Sequence, residues 1–291
     1  MLRTRLWMGS VLIALTVSML MFDQGLAPWH PFQFAFQSLL VLAAAWEIVR
    51  LFGPERPVHV PLLFLGSSLL TVANFVIPVL WGPDAVWLPL FGGYVAVQMA
   101  AFLAEMAVFR DPGQSVERMA RTCWGVGYLA LLPSFLAQLP WLYPPGSPLG
   151  TTALALAIFV PKACDVGAYF AGRLFGKHRM TPTLSPKKTW EGAVGGLVLA
   201  AIVAIAIDRL SNAPALGGCY GWEIGFGMIL GAVGMLGDLA ESLIKRDCQK
   251  KDASEAVPGF GGVLDVVDAV VFAAPVAWLG CWLSRNWHSL P

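Results

Sequence analysis

The sequence predicts an all-α polytopic membrane protein with about nine transmembrane helices and a cytoplasmic N-terminus. Of its 291 residues, 57% are hydrophobic and only 13% are charged, whereas a soluble domain is about 45–50% apolar and about 25% charged. The mean hydropathy of +0.67 agrees with this composition. The apolar residues also fall into runs of the roughly 17–25 residues that a helix needs to cross a bilayer. The nine predicted spans are 6–22, 32–49, 60–80, 86–109, 122–143, 151–172, 192–208, 222–240 and 266–283.

The basic residues test this number of spans. Arg209 and Arg285 fall on one side of the predicted membrane and Lys162 falls within a span, which leaves 16 of the 19 Lys and Arg residues on the other side. Such a bias marks the cytoplasmic side, and one span more or fewer in the middle would scramble it. The sequence therefore predicts a multi-pass protein of the inner cell membrane, with the polar loops 173–191 and 241–265 both facing the cytoplasm.

Several classes of protein and site are disfavoured. The net charge is +1 and no basic stripe interleaved with aromatic residues occurs, so a nucleic-acid partner is not expected. The five cysteines are far apart and include no CxxC pair, which supports neither a zinc site nor a disulfide framework. Arg3 and Arg5 before an apolar core, with Gly25-Leu26-Ala27 behind it, also resemble a cleaved signal peptide. We favour a retained span.

The two halves of the chain differ in chemistry. Residues 1–150 are predicted to be a scaffold of transmembrane helices, and a homodimer contact is one role left open for them. Glu47 and Glu105 stand at the cytoplasmic ends of their spans, where we expect structural roles, with Arg50 and Arg110 as available partners. Residues 151–291 are predicted to be the catalytic domain.

The chemistry of the second half centres on two acidic helix faces. Residues spaced i, i+3, i+4 and i+7 share one face of a helix, and this spacing is met by Asp238, Glu241, Ser242 and Lys245. Asp265 and Asp268, spaced i, i+3, form a second face. The loop between them carries Gly261 and Gly262, which let backbone approach a ligand closely. Such faces can hold divalent cations and a polyphosphate, although a solvated loop that anchors two spans would share this composition.

Two further groups precede these faces in the chain. Lys162 and Asp165 are spaced to pair within a span, where an ion pair is costly unless it faces protein or water. Lys187 and Lys188 stand just before a predicted helix start, which suits phosphate binding, although anchoring on the cytoplasmic side would also explain them. His178 is a lone histidine in a basic loop, and we assign it no ligand role.

These residues resemble the phosphatidate cytidylyltransferase family, also called CDP-diacylglycerol synthases. The resemblance covers roughly 160–283 and rests on three separated blocks in the right order. The first two blocks are Asp165–Tyr169 with Gly172–His178, and Ser185–Trp190. The third contains Ser242, Lys245, Arg246, Lys251, Asp252, Ser254, Pro258, Gly261, Gly262, Asp265 and Asp268. The first half resembles the family only in hydropathy and in the fragment from Trp46 to Arg50.

The resemblance implies transfer of a cytidylyl group from CTP to phosphatidate, giving CDP-diacylglycerol and pyrophosphate. It implies Mg²⁺ held by Asp238, Asp265 and Asp268, with a second cation for which K⁺ is a candidate. It assigns catalytic roles to Asp238, Lys245, Asp265 and Asp268. Substrate binding then falls to Ser242, Arg246, Lys251, Gly261, Gly262, Lys187, Lys188 and Asp165.

The chain departs from the family pattern at two polar positions. Phe260 stands where the family has histidine, and Val266 stands where it has arginine. These departures leave the metal carboxylates intact but put the identity of the lipid or nucleotide in doubt. Alternatives are a related CTP-dependent enzyme that acts on another lipid phosphate or a polyprenol, an inactive family member, and a transporter. A transporter would predict inverted repeats, and none is evident in the sequence.

Overall fold

The computed structural model describes residues 2–110, 112–211 and 213–286, with side chains from residue 7 onward. The described part is almost entirely helical, which confirms the all-α class. Eight of its helices are long and apolar enough to cross a membrane. The Arg3 and Arg5 side chains, which enter the predicted charge bias, lie outside the described side chains.

The helices and strands follow one another with short connections. Their bounds are α1 (Leu2–Gly25), α2 (Pro31–Phe52), α3 (Val60–Trp81), α4 (Trp87–Val108), α5 (Ser115–Val126), α6 (Leu132–Ala137), α7 (Pro148–Phe175), β1 (Arg179–Thr181), β2 (Ser185–Thr189), α8 (Trp190–Leu210), α9 (Tyr220–Asp247) and α10 (Val263–Asn286). Single 3₁₀ turns lie at Pro83–Ala85 and Pro140–Leu142.

The fifth predicted span, 122–143, does not form one regular helix. Helix α5, a π-helical turn at Gly127–Leu131 and helix α6 follow one another without a gap. Together they reach about 34 Å at 1.5 Å per residue. Pro133 has no N–H to donate to the preceding turn, and a local π-helical turn is one way a helix adjusts to such a gap. The fifth predicted span therefore coincides with an interrupted helical segment.

The chain divides into two compact units. The first comprises residues 1–137 and 252–264, and the second comprises 138–251 and 265–291. The first unit contains α1 to α6 together with the loop that leads into α10. The second contains α7 to α9, the two strands and most of α10.

Buried polar side chains in the first unit bind backbone and side-chain groups of other segments. Asp23 caps α2 by accepting hydrogen bonds from the backbone N–H groups of Phe32 (2.9 Å) and Gln33 (2.5 Å). The Asn74 side chain donates to the Ser134 hydroxyl at 2.7 Å. Because unsatisfied polar groups are costly inside a membrane, these contacts stabilise the helix ends and the irregular segment.

Small residues bring the helices of the second unit close together, as they commonly do where helices pack within a membrane. A Cβ atom at Gly227 would lie 2.8 Å from Ala201 Cα of α8, and one at Gly234 would lie 2.8 Å from Pro161 Cβ of α7. At Gly237 a Cβ atom would lie 2.6 Å from the Asp268 carbonyl oxygen of α10. Helix α9 is therefore packed against three neighbours through positions that admit no side chain.

The two polar loops are shorter than their predicted limits of 173–191 and 241–265. Helix α7 continues to Phe175 and helix α9 to Asp247. The first loop also contains an antiparallel hairpin of β1 and β2, in which Arg179 pairs with Thr189. Thr189 then caps α8, because its hydroxyl accepts from the Gly192 N–H at 3.1 Å. The second strand of the hairpin therefore leads directly into α8, so Lys187 and Lys188 lie next to the start of this helix.

Candidate functional site

The face predicted on α9 forms as expected. Asp238, Glu241, Ser242 and Lys245 lie on a continuous helix, and all but the half-buried Asp238 are buried. The Lys245 ammonium group contacts Glu241, one turn earlier on the same helix. A charged residue so placed needs partners from neighbouring helices.

Helix α10 supplies the second acidic face. Lys245 Nζ donates a hydrogen bond to Asp265 Oδ1 at 2.5 Å, so the two faces meet through a lysine. Asp268 is buried one turn further along α10. The close approach at Gly237 places the backbone of α9 against the Asp268 carbonyl oxygen, which lets carboxylates from both helices reach a common region.

Helix α7 contributes the predicted pair of Lys162 and Asp165, and Lys162 also contacts a carboxylate of α10. Lys162 Nζ lies 3.3 Å from Asp165 Oδ2 and 3.0 Å from Asp268 Oδ1. The lysine therefore bridges carboxylates of α7 and α10. This contact explains how a lysine is accommodated within an apolar span.

The hairpin contributes another positively charged side chain, which contacts a carboxylate of α9. Lys188 Nζ, on β2, lies 2.8 Å from Asp238 Oδ2 and donates to the Met235 carbonyl oxygen at 3.4 Å. Lys187, its neighbour on the strand, is exposed. Adjacent strand residues point to opposite faces, so only one of the two lysines faces the carboxylates.

Three carboxylates are placed to hold a metal ion. One oxygen each of Asp238, Glu241 and Asp268 lies within 4.8 Å of the others. Glu241 Oε1 is buried and receives no hydrogen bond from the described residues, as expected for an oxygen that serves a cation. The structure thus brings together two of the three predicted metal ligands, Asp238 and Asp268. Asp265 is held by Lys245 instead and lies outside this trio.

Glu241 was not among the predicted site residues. Its position on the predicted face of α9 was the available signal, since it lies between Asp238 and Lys245 in helical spacing. Together Asp165, Asp238, Glu241, Asp265 and Asp268 carry five negative charges when ionised. Lys162, Lys188 and Lys245 carry three positive charges, so this part of the site has a formal charge of −2, which suits a divalent cation.

Other predicted binding residues lie at the edges of the loops. Arg246, at the end of α9, donates to the carbonyl oxygens of Leu184 (3.4 Å) and Lys250 (3.3 Å), and therefore braces the hairpin turn. Lys251 is exposed. Gly261 has a φ of +105° and forms a β-bridge with Val257. The substrate-binding roles of these positions stay predictions.

Glu47 and Glu105, the two carboxylates predicted to have structural roles, contact groups of other segments in the first unit. Glu105 lies 2.7 Å from His59 Nε2 and 3.4 Å from Arg118 Nε. Glu47 accepts hydrogen bonds at the start of α10, while Arg50 stacks on Trp46. Both carboxylates therefore contact groups of other segments in the first unit, which is consistent with the structural roles expected of them.

Known proteins are similar to this chain in sequence. The Cytidylyltransferase family profile matches residues 3–284. A phosphatidate cytidylyltransferase of Mycobacterium bovis is 33% identical over 231 residues, covering 71% of this chain and 72% of that protein. The match to one from Haemophilus influenzae is 44% identical over 115 residues, covering 39% of this chain and 40% of that protein. One from Brucella suis is 39% identical over 133 residues, covering 45% and 47%. The matches to Haemophilus and Brucella thus span less than half of those relatives, but the family profile spans nearly the whole chain. The chain therefore belongs to the cytidylyltransferase family.

Proposed function

We propose that this protein transfers a cytidylyl group from CTP to phosphatidate, which gives CDP-diacylglycerol and pyrophosphate. The observation that carries this proposal is the convergence of acidic and basic side chains from α7, β2, α9 and α10 in one unit of a chain that belongs to the cytidylyltransferase family. The names of the relatives from Mycobacterium and Haemophilus supply the substrate class.

The reaction needs charge neutralisation more than proton transfer. An oxygen of the lipid phosphate attacks the α-phosphorus of CTP, and the bond from that phosphorus to the β-phosphate oxygen breaks, so pyrophosphate leaves with the electron pair. Because the attacking oxygen is already anionic, no strong general base is required. The difficulty is to bring two anions together and to stabilise the leaving group, which positioned cations do.

The lysines of the site fit that task. Lys188 and Lys245 each hold a carboxylate within hydrogen-bonding distance and have further N–H groups for phosphate oxygens. Ser242 is buried on the same face of α9 as Lys245, where its hydroxyl can orient a carboxylate or a phosphate. Arg246, Lys251, Lys187, Gly261 and Gly262 are proposed to contact the remainder of CTP or the lipid headgroup, and Asp165 to hold Lys162 in place.

The carboxylates fit a divalent cation, and Mg²⁺ is the ion proposed. Asp238, Glu241 and Asp268 would hold it, because their oxygens converge and Glu241 Oε1 has no hydrogen-bond donor in the described residues. When bound, such an ion neutralises phosphate charge and polarises the phosphorus–oxygen bonds. Lys162 and Lys245 already stand between carboxylates, so the charge balance supports one divalent ion more strongly than a second cation such as K⁺.

The substrates set the expected location of the protein. CTP is soluble and phosphatidate lies in a bilayer, so the site has to be open to both at a membrane surface. The sequence bias of Lys and Arg supports the cytoplasmic side as this surface, and we propose the inner cell membrane as the location. Homodimer formation stays a prediction.

Pyrophosphate release by the purified protein in detergent tests the proposal. With CTP, Mg²⁺ and phosphatidate the wild type should turn over, and omission of the lipid should stop it. Asp238→Asn and Asp265→Asn should abolish transfer, and Glu241→Gln should raise the Mg²⁺ concentration needed for half-maximal rate by tenfold or more. Glu117→Gln is the control, because Glu117 is exposed and pairs with Arg121 within α5. Wild-type rates from Asp238→Asn and Asp265→Asn would exclude the proposed site.

A related acceptor lipid is the second candidate, and two residues favour it. Phe260 and Val266 replace the histidine and arginine expected from the family pattern. Phe260 is exposed, and its ring lies 3.6 Å from the position of a Cβ atom at Gly9 of α1. Labelled CTP supplied with a panel of phosphatidate, other lipid phosphates and polyprenols would separate the candidates. Transfer to another lipid with phosphatidate inert would select the second candidate.

A further inference from the structure

Glu47 of α2 is fully buried and receives three hydrogen bonds. Its Oε1 accepts from the Ser254 hydroxyl at 2.5 Å and from the Val263 N–H at 2.7 Å. Its Oε2 accepts from the Leu264 N–H at 2.8 Å. Val263 and Leu264 are the first two residues of α10, whose N–H groups have no partner within the helix. A carboxylate from a distant helix therefore caps α10.

The same carboxylate contacts the loop before α10 at two places. Ser254 lies near the middle of this loop, which runs from residue 248 to residue 262, and its hydroxyl also accepts from the Ala256 N–H at 3.0 Å. At the end of the loop, a Cβ atom at Gly262 would lie 2.7 Å from both oxygens of Glu47. Only glycine leaves room for the carboxylate at this position. The glycine that the sequence assigned to substrate approach thus also admits a side chain of α2.

We infer that Glu47 is a positioning residue for the proposed reaction and acts through Asp265. Asp265 is the next residue after Leu264 and belongs to the same first turn of α10, so the backbone that Glu47 holds carries the carboxylate that binds Lys245. The inference rests on the proposed function. It gives a role in turnover to a residue whose hydrogen bonds in the described part of the chain join it to Ser254, Val263 and Leu264.

The chemistry of the cap predicts what removal of its charge does. In Glu47→Gln the side chain keeps its shape, but one oxygen becomes an NH₂ group. Whichever orientation the amide takes, this group faces a backbone N–H donor, because both oxygens of Glu47 accept such bonds. The first turn of α10 then loses a partner and shifts. Displacement of a catalytic group by about 1 Å can cost roughly 100-fold in rate.

Asp23 provides a matched control within the first unit. Its carboxylate caps α2 in the same way, by accepting from the N–H groups of Phe32 and Gln33, and it is also buried. The first turn of α2 carries no residue of the proposed site. Asp23→Asn should therefore weaken a helix cap as Glu47→Gln does, without disturbing Asp265.

The experiment compares Glu47→Gln, Ser254→Ala and Asp23→Asn in the full chain. Pyrophosphate release with CTP and phosphatidate gives kcat and KM, and hydrogen–deuterium exchange gives protection of the peptide that contains Val263 and Leu264. We expect kcat to fall tenfold or more in Glu47→Gln and by a smaller factor in Ser254→Ala, with KM for CTP changed less than twofold. Exchange at the start of α10 should accelerate in the same order. Asp23→Asn should leave both readouts near wild type.

The possible outcomes separate the inference from the proposed function. If Glu47→Gln turns over like Asp23→Asn, or if exchange at Val263 and Leu264 is unchanged, the positioning role is wrong. If Glu47→Gln does not fold, Ser254→Ala decides, because it removes one of three hydrogen bonds and leaves the carboxylate. A wild type that is inactive on every lipid would reject the proposed reaction and with it the role in turnover, while the exchange data would still show whether Glu47 caps α10.

Discussion

The contact between α9 and α10 at Gly237 offers a test in which a single methyl group disturbs the site. A Cβ atom there would lie 2.6 Å from the Asp268 carbonyl oxygen and 2.6 Å from Phe272 Cβ. An ordinary contact begins near 3.4 Å, so Gly237→Ala requires the two helices to separate locally by about 0.8 Å. Neither neighbour is the end of a flexible side chain, and the backbone of α10 therefore has to move.

The expected effect follows from the residues beside this contact. Asp238 follows Gly237 on α9, and Asp268 supplies both the contacted carbonyl and a carboxylate of the metal trio. A shift of this size should lower kcat by about 10- to 100-fold. Overpacking of a well-packed interior costs about 1–3 kcal/mol, so the thermal midpoint in detergent should also fall.

A second glycine of α9 is the matched control. A Cβ atom at Gly225 would meet no atom within 4 Å. Replacement of glycine by alanine within a helix otherwise stabilises by about 0.5–1 kcal/mol, so Gly225→Ala should keep its kcat and unfold no earlier than wild type. Pyrophosphate release and thermal unfolding measure both variants. If Gly237→Ala matched Gly225→Ala in both assays, the close approach of α9 and α10 would not position the carboxylates.

Two further predictions concern lysines of the hairpin and a carboxylate of the first unit. Lys188→Met should lower kcat by about 10²–10³-fold, the usual cost of losing one positioned donor, whereas Lys187→Met should act mainly by raising KM for CTP, because an exposed charge works through screened attraction. Steady-state kinetics at varied CTP distinguish the two, and equal effects on kcat would contradict the different placement of the side chains. Glu105→Gln should destabilise the protein by about 1–3 kcal/mol, since it leaves the buried groups of His59 and Arg118 with a weaker acceptor, and should keep kcat within about twofold. A large loss of kcat with an unchanged thermal midpoint would show that Glu105 is functional.

The helical faces of the site were predictable because their spacing is local. Asp238 and Lys245 are spaced i, i+7, which puts them on one face of a helix, and both lie on α9 in the structure. Lys162 and Asp165 were likewise predicted as a pair, and they do pair. The contact of Lys162 with Asp268 could not be predicted from local spacing, because the two residues are 106 positions apart in the sequence.

Other features escaped prediction for identifiable physical reasons. The hairpin strands have three and five residues, and the second contains Pro-Lys-Lys rather than an alternation of apolar and polar residues. The irregular helical segment at 127–131 lies in an apolar run that has the composition of an ordinary span. Glu241 shares the predicted face, but nothing in the sequence alone distinguishes it as a cation ligand from a partner for Lys245.

The sequence shows which carboxylates lie at membrane depth but does not distinguish structural from functional ones, since each is costly there whatever its role. Their contacts in the structure make this distinction. Asp23 and Glu47 accept hydrogen bonds from helix N-termini, and Glu105 forms ion pairs with a histidine and an arginine, so each of the three has a partner in the protein. Glu241 has one oxygen, Oε1, without a donor in the described residues, while Lys245 contacts the other oxygen. Asp208 Oδ2 and Glu223 Oε2 also have no donor there, but Glu241 differs from them because its oxygens converge with those of Asp238 and Asp268. A further cation or a proton would offset this concentration of negative charge, so the convergence of the three carboxylates supports a ligand at this site more directly than the number of acidic residues does.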